Sequence, residues 1–223
     1  MSFKKIKIKL SKEAKMKKML LIVVILGSLV SGVFGWSTEE KSHYFDYVVK
    51  DKYMTKICFE PVNIDYDWMD ILHEATTKYN EAFPSYNSKI NFVFNYSSES
   101  ICSYRVKVFK ENKPNEEYFA ITKGFHSFLK KPADSITINL AHVYKLDYNE
   151  RIALLMHEMG HVIGLRHTGI TGSNAIPTTN DDSEPNKSIM RGGGDDDIFN
   201  NRVMIPIFTD YDKKAVMYLY RKW

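Results

Sequence analysis

His157-Glu158-Met159-Gly160-His161-Val162-Ile163-Gly164-Leu165-Arg166-His167 places three imidazoles, one carboxylate and two glycines within eleven positions. Around it, Ile152, Leu155, Met156, Met159 and Ile163 recur at helical spacing, so their side chains gather on one face that packs on a sheet. Asp147 and Glu150 stand three apart, a capping-box start for that helix. The opposite face carries His157, His161 and Gly164, which turns both imidazoles away from the core contact and toward a cleft. Residues four apart lie one helical turn above each other, so His157 and His161 can reach one ion. Glu158 sits one step round, placed to touch a water on that ion rather than to bind it. Gly164 can take a positive φ, end the helix and let the chain turn back. That turn brings His167 to a third ligand position. Three protein nitrogens leave one place open, which is what a catalytic zinc needs and a structural zinc lacks.

Upstream, Thr55 to Phe59 reads as a strand ending at Pro61. Trp68, Ile71, Leu72, Ala75, Tyr79 and Ala82 then mark an amphipathic helix that stops before Pro84. Ile90–Phe94 and Tyr104–Phe109 alternate as strands, and Tyr118–Thr122 and Ile136–Leu140 are two more. Thr209 with Asp212 opens a last helix, whose packing face is Tyr211, Ala215, Tyr218 and Leu219. Strands with two long helices, and no internal repeat, make the fold class α+β.

Of 223 residues, 13% are aromatic, ample surface for a packed core, which excludes disorder as the main state. The net charge of +4 is unevenly spread. The first 35 residues hold eight Lys against one Glu, leaving the other 188 at −3. A nucleic-acid partner is therefore not expected, because the basic residues belong to the N-terminus. There a Lys-rich end (Lys4 to Lys18) meets the apolar run Met19–Leu26 and a small-residue exit, Val33-Phe34-Gly35. That order reads as a signal peptide, residues 1–35, cleaved near Gly35 to give a secreted or cell-envelope protein. Met16 would serve equally as the start. The alternative is an uncleaved anchor, the only route to a membrane in this reading. The apolar stretch from Met19 to Phe34 is shorter than the ~20 residues a bilayer crossing takes. Residues 36–52 form a charged, aromatic lead-in, and 53–223 the working domain. Cys58 and Cys102 both lie in the exported part, each in a segment that reads as strand. Two cysteines in an oxidising compartment commonly pair, but sequence alone leaves this pair open.

The His-rich string resembles the elongated zinc motif of the metzincin metalloendopeptidases. Ser188-Ile189-Met190 resembles that clan's Met-turn, with Met190 beneath the metal. Within the clan, residues Leu154 to Leu219 look most like the bacterial HEIGH-type dual-action metallopeptidases. The matching features are His-Glu-x-Gly-His, Gly164-Leu165-Arg166-His167-Thr168, Ile176-Pro177-Thr178, Ser188-Ile189-Met190 and Phe208-Thr209-x-x-Asp212. Met159 stands where the family has Ile, on the apolar side. The resemblance implies an N-terminal lobe, 53–164, of a mixed twisted sheet with two long helices. A small C-terminal lobe, 165–223, would hold the Met-turn and terminal helix. It also implies one catalytic Zn2+ on His157, His161 and His167, with Glu158 as general base for peptide-bond hydrolysis. Protein or peptide substrate would add as a strand along the Tyr118–Phe125 region, and Arg202–Phe208 would wall the specificity pocket. There Met204, Ile205, Ile207 and Phe208 suit either an apolar subsite or simple core closure. Astacin- and serralysin-type relatives place a Tyr two residues past the Met-turn Met; this chain has Gly192. The cysteine switch of matrixin propeptides is absent, and on the signal-peptide reading the lead-in is so short that a folded inhibitory prodomain is not expected. Asp181, Asp182 and Glu184, with Asp195, Asp196 and Asp197, are candidate calcium ligands on composition, without calcium-loop spacing. A competing reading is a zinc-binding module without catalysis on the same scaffold, whose mark would be loss of the glutamate. Glu158 is present. The natural substrate, its cleavage preference and the oligomeric state are not written in the sequence.

Overall fold

In the computed structural model, which describes residues 48–94, 101–126, 128–167, 188–190 and 205–220, a four-residue helix α1 (Asp51–Met54) leads into β1 (Ile57–Val62). All of these residues belong to one unit, Ser42–Trp223. Val49, just before α1, is buried, so the end of the lead-in is part of the core. β1 does not stop at Pro61 as its sequence suggests. It pairs with its first neighbour only through Phe59, so Pro61, with no N–H to give, lies where only the other neighbour remains.

Helix α2 (Tyr66–Ala82) begins where the Asp65 side chain accepts from the Trp68 N–H at 3.3 Å, and ends two residues before Pro84. Its buried face is Trp68, Ile71, Leu72, Ala75, Thr76 and Tyr79, matching the sequence periodicity. The strands β2 (Phe92–Phe94), β3 (Tyr104–Glu111), β4 (Ala120–Lys123) and β5 (Ser135–Asn139) follow, and then the four-residue helix α3 (Leu140–Val143). Helix α4 (Tyr148–Val162) and, after an interval, helix α5 (Asp210–Tyr220) complete the order.

The sheet order is β2-β1-β3-β5-β4, parallel throughout except that β4 runs antiparallel to β5 at the edge. Register sets which residues share a face. Val108 pairs with Ile136, and Ile136 with Thr122, which puts Thr122 on the side where the helices lie. There Ile57, Phe59, Phe92, Val106, Val108, Ile136 and Ile138 meet the apolar faces of α2 and α4 in one buried cluster. The α+β expectation of a mixed sheet with two long helices is what the chain builds.

Cys58 and Cys102 are bonded, with Cα atoms 5.8 Å apart. The pairing left open by sequence therefore forms, though Cys102 lies two residues before β3 rather than inside a strand. The last helix also differs in detail. Its buried residues are Asp212, Ala215, Val216 and Tyr220, whereas Tyr218 and Leu219 are half-buried. The Tyr211 side chain is outside the described residues, as are residues 1–47, Thr168, Ile176–Thr178, both acidic clusters, Gly192 and Arg202–Met204. Among the described residues no helix is long and apolar enough to cross a membrane.

Candidate metal centre

α4 starts as its sequence implies. Asp147 Oδ1 accepts from the Glu150 N–H at 2.9 Å, and Glu150 Oε2 accepts from the Asp147 N–H at 2.8 Å. It ends at Val162, two residues before Gly164, whose φ is 90°. The Gly164 N–H reaches the His161 carbonyl at 2.9 Å and the Leu165 N–H reaches the Gly160 carbonyl at 3.0 Å. These are the two bonds of a Schellman turn, which a side chain at Gly164 would strain. The turn returns the chain and brings His167 alongside its two predecessors.

The three Nε2 atoms converge. His157 and His161 stand 3.1 Å apart, His157 and His167 3.0 Å, and His161 and His167 2.8 Å. What lies behind two of the rings fixes what they present in front. His157 Nδ1 faces the Ile189 carbonyl at 2.8 Å, and His161 Nδ1 faces the Leu165 carbonyl at 2.7 Å. A carbonyl only accepts, so both Nδ1 atoms carry the hydrogen and both Nε2 atoms present lone pairs. Two lone pairs aimed at each other repel unless a cation sits between them. The donor set therefore fits a divalent ion. Three nitrogens on one zinc at 2.0–2.1 Å would stand roughly 3.3 Å apart, close to the spacing here. Burial and the neighbouring imidazoles hold His157 well below the usual histidine range, and burial with the nearby His167 pushes His161 down to about 3. Both rings are thus neutral at pH 7, the state that binds a metal.

The sequence places both imidazoles on the open side of α4. In the fold His157 is 6% exposed, because Ser188-Ile189-Met190 closes over it, while His161 and His167 are half-buried. Met190 is buried and its sulfur lies where a Cβ on Gly160 would be, so Gly160 lets the Ser188–Met190 segment approach the helix. The segment itself is held from below by Asp212. Its carboxylate accepts from Ser188 Oγ, from the Ile189 N–H at 3.1 Å, and from Thr209 N–H and Oγ1 at 2.9 and 2.8 Å. The Thr209–Asp212 pair is legible in sequence as a helix start and as a feature of the family resemblance. Its second role, gripping the segment that orients His157, is not.

Glu158 is 4% exposed and faces β4. Thr122 Oγ1 lies 2.6 Å from Glu158 Oε2 and 3.0 Å from the Glu158 carbonyl oxygen. With a single proton to give, the hydroxyl gives its shorter contact to the carboxylate. Burial pushes the Glu158 carboxyl up to about 7, against the lowering pull of Thr122. Thr122 was not singled out by sequence, because nothing local marks a threonine whose partner is 36 residues away.

The remaining histidines have other business. His126 Nε2 pairs with Asp134 at 2.9 Å, His142 Nε2 meets the Glu116 carbonyl at 2.7 Å, and His73 packs edge-on against Phe94. His43 is outside the described residues. Of the residues expected near the specificity pocket, Phe208 is buried against Tyr79 and Phe83, with ring centroids 4.6 and 4.9 Å apart, so it closes the core. Ile205 and Ile207 are exposed.

The sequence model of the dual-action HEIGH metallo-peptidases matches residues 36–190, ending on Met190. No curated relative matches the sequence. Among solved structures the chain is similar to myroilysin, with TM-score 0.47 and 13% identity over 79% of this chain and 98% of that one. It is also similar to high choriolytic enzyme 1, a hatching-enzyme zinc-protease from Oryzias latipes (medaka fish), with TM-score 0.42 and 12% identity over 81% and 94%. The family match spans well over half of the chain and contains all three converging imidazoles, and the chain belongs to the dual-action HEIGH metallo-peptidases, a family of zinc metallopeptidases.

Proposed function

We propose that this chain is an exported zinc endopeptidase in which His157, His161 and His167 hold the ion and Glu158 is the general base. The observation that carries the proposal is the pair of carbonyls behind His157 and His161, which commits both Nε2 lone pairs to a shared point. When bound, zinc supplies Lewis acidity, acidifying a water and polarising the scissile carbonyl. Glu158, held at Oε2 by Thr122, takes the proton of the attacking water on Oε1 and passes it to the departing amide nitrogen. Its burial supports that shuttle, since a carboxylate in a dry site neither wanders nor stays strongly solvated. Met190 and Ile189 set the floor and orient His157 from behind.

Substrate recognition follows from the sheet. Among the described residues β4 pairs only with β5, so its other edge offers main-chain N–H and C=O groups to an extended peptide. Thr122 on that strand touches Glu158, so a peptide added there passes directly over the site. Exposed Ile205 and Ile207 supply apolar surface for its side chains. Export is supported by the Lys-rich start with its apolar run, by a family match that opens at residue 36, and by the Cys58–Cys102 bond, a feature of oxidising compartments. The lead-in and catalytic segments keep the boundaries given above. The Asp181–Glu184 and Asp195–Asp197 clusters remain the place to look for calcium, as a separate question from the reaction.

The proposal is tested by zinc dependence. Treatment with a chelator should abolish cleavage of an unfolded protein substrate, and stoichiometric zinc should restore it. Undiminished cleavage by metal-free protein would overturn the assignment.

A further inference from the structure

Beyond the zinc site, the β4–β5 connection carries the largest exposed apolar side chains near the chain's working edge. Phe128 is 94% exposed, Phe125 47% and Leu129 44%, with Ile121 at 36% on β4 itself. Water-facing aromatic rings gathered in one short turn are unfavourable unless something covers them in use. Charge says what that is. From Lys123 to Ala133 the chain holds Lys123, Lys130 and Lys131 and no carboxylate.

The turn is firmly based. The Lys50 N–H reaches the Lys130 carbonyl at 2.9 Å, and the Asp134 N–H reaches the Lys123 carbonyl at 3.0 Å. Asp134 is itself held by His126 at 2.9 Å and by the Tyr104 hydroxyl at 2.6 Å. Gly124 adopts a φ of 79°, and a Cβ there would overlap the Asp134 carboxylate. Lys130 also sits at a positive φ, 52°, uncommon for a residue with a side chain. The fixed base thus leaves Phe125, Phe128 and Leu129 exposed beside Lys130, with Lys123 and Lys131 at the flanks, their ammonium groups 5.9 Å from the Tyr118 and Tyr53 rings.

We propose that this hairpin tip docks the enzyme on an anionic lipid surface. A projecting ring suits insertion at the boundary of headgroups and acyl chains, where Phe and Leu bury apolar area and Lys meets lipid phosphate. A peptide partner would instead be taken up by a groove or a strand edge. Phe128 is 94% exposed and lies five residues beyond the end of β4. The tip continues from β4, three residues from Thr122 to Phe125, so docking brings the catalytic edge close to the membrane plane. Lipid docking needs no zinc chemistry and stands or falls apart from the catalytic proposal.

The test is vesicle co-sedimentation of the exported, zinc-loaded chain, with vesicles of equal parts phosphatidylglycerol and phosphatidylcholine beside pure phosphatidylcholine. Wild type should partition to the anionic vesicles and lose that binding in high salt. Phe128→Ser should weaken partitioning about tenfold. Lys130→Asn with Lys131→Gln should weaken it by about tenfold as well, and remove most of the salt sensitivity. Asn tolerates the positive φ at 130, and Phe128 has no buried contact to lose, so both variants should cleave a soluble peptide like wild type. Unchanged partitioning of Phe128→Ser would overturn the proposal. So would equal binding to uncharged vesicles, or a raised KM for soluble substrate with vesicle binding intact, which would make the tip a substrate contact.

Discussion

Glu158→Gln should retain one zinc per chain and lose peptide-bond cleavage by at least about 10³-fold. Gln has the same shape, and its amide oxygen can still accept from Thr122, so the buried site should keep its packing. A neutral amide also avoids the desolvation that pushes the Glu158 carboxyl upward. What it cannot do is take up and release a proton. His157 and His161 keep their supports, because these are the Ile189 and Leu165 carbonyls and not Glu158. The loss should therefore fall on kcat, with peptide binding along β4 preserved. Near-normal turnover by the Gln variant would remove Glu158 from the reaction.

The second large effect is expected far from the substrate. Asp212→Ala should destabilise the fold by about 3–5 kcal/mol and weaken zinc binding by about 10–100-fold. Asp212 is 3% exposed, and its carboxylate accepts from Ser188, Ile189 and Thr209. Alanine leaves those donors buried and unpaired. The consequence reaches the metal through one residue. Ile189 gives its N–H to Asp212 and its carbonyl to His157 Nδ1, so a loosened segment frees the imidazole to turn. Thermal unfolding and a zinc-competition titration measure the two effects. An Asp212→Ala protein with an unchanged unfolding midpoint and unchanged zinc affinity would show that the Ser188–Met190 segment is held some other way.

Sequence was most informative where the signal is local. The Asp147–Glu150 cap, the apolar faces of α2 and α4, and the break at Gly164 each depend on residues within one or two helical turns, and each forms as expected. The three imidazoles share that advantage, since one helix and its Schellman turn bring them together. The order β2-β1-β3-β5-β4 was not legible, because no strand records which partner it will meet. Helices α1 and α3 were missed for a related reason. Four residues form too little helix to carry a period, and they persist because Met54 and Val143 are buried against the rest. The burial of His157 was also hidden. Periodicity along α4 identifies the face without strands, but cannot know that Ser188–Met190 returns to cover it. Thr122, Asp212 and the role of Gly160 all depend on contacts made across many residues. Their traces in sequence were a plain strand threonine, a helix cap and a glycine in a motif.

X-ray absorption at the zinc edge, on chain stripped by chelator and reloaded with one equivalent of zinc, asks most directly what binds the ion. Three imidazole nitrogens at about 2.0–2.1 Å are predicted, with His161→Ala failing to hold zinc at the same free concentration. A first shell without three imidazoles, or full zinc retention by His161→Ala, would contradict the site described here.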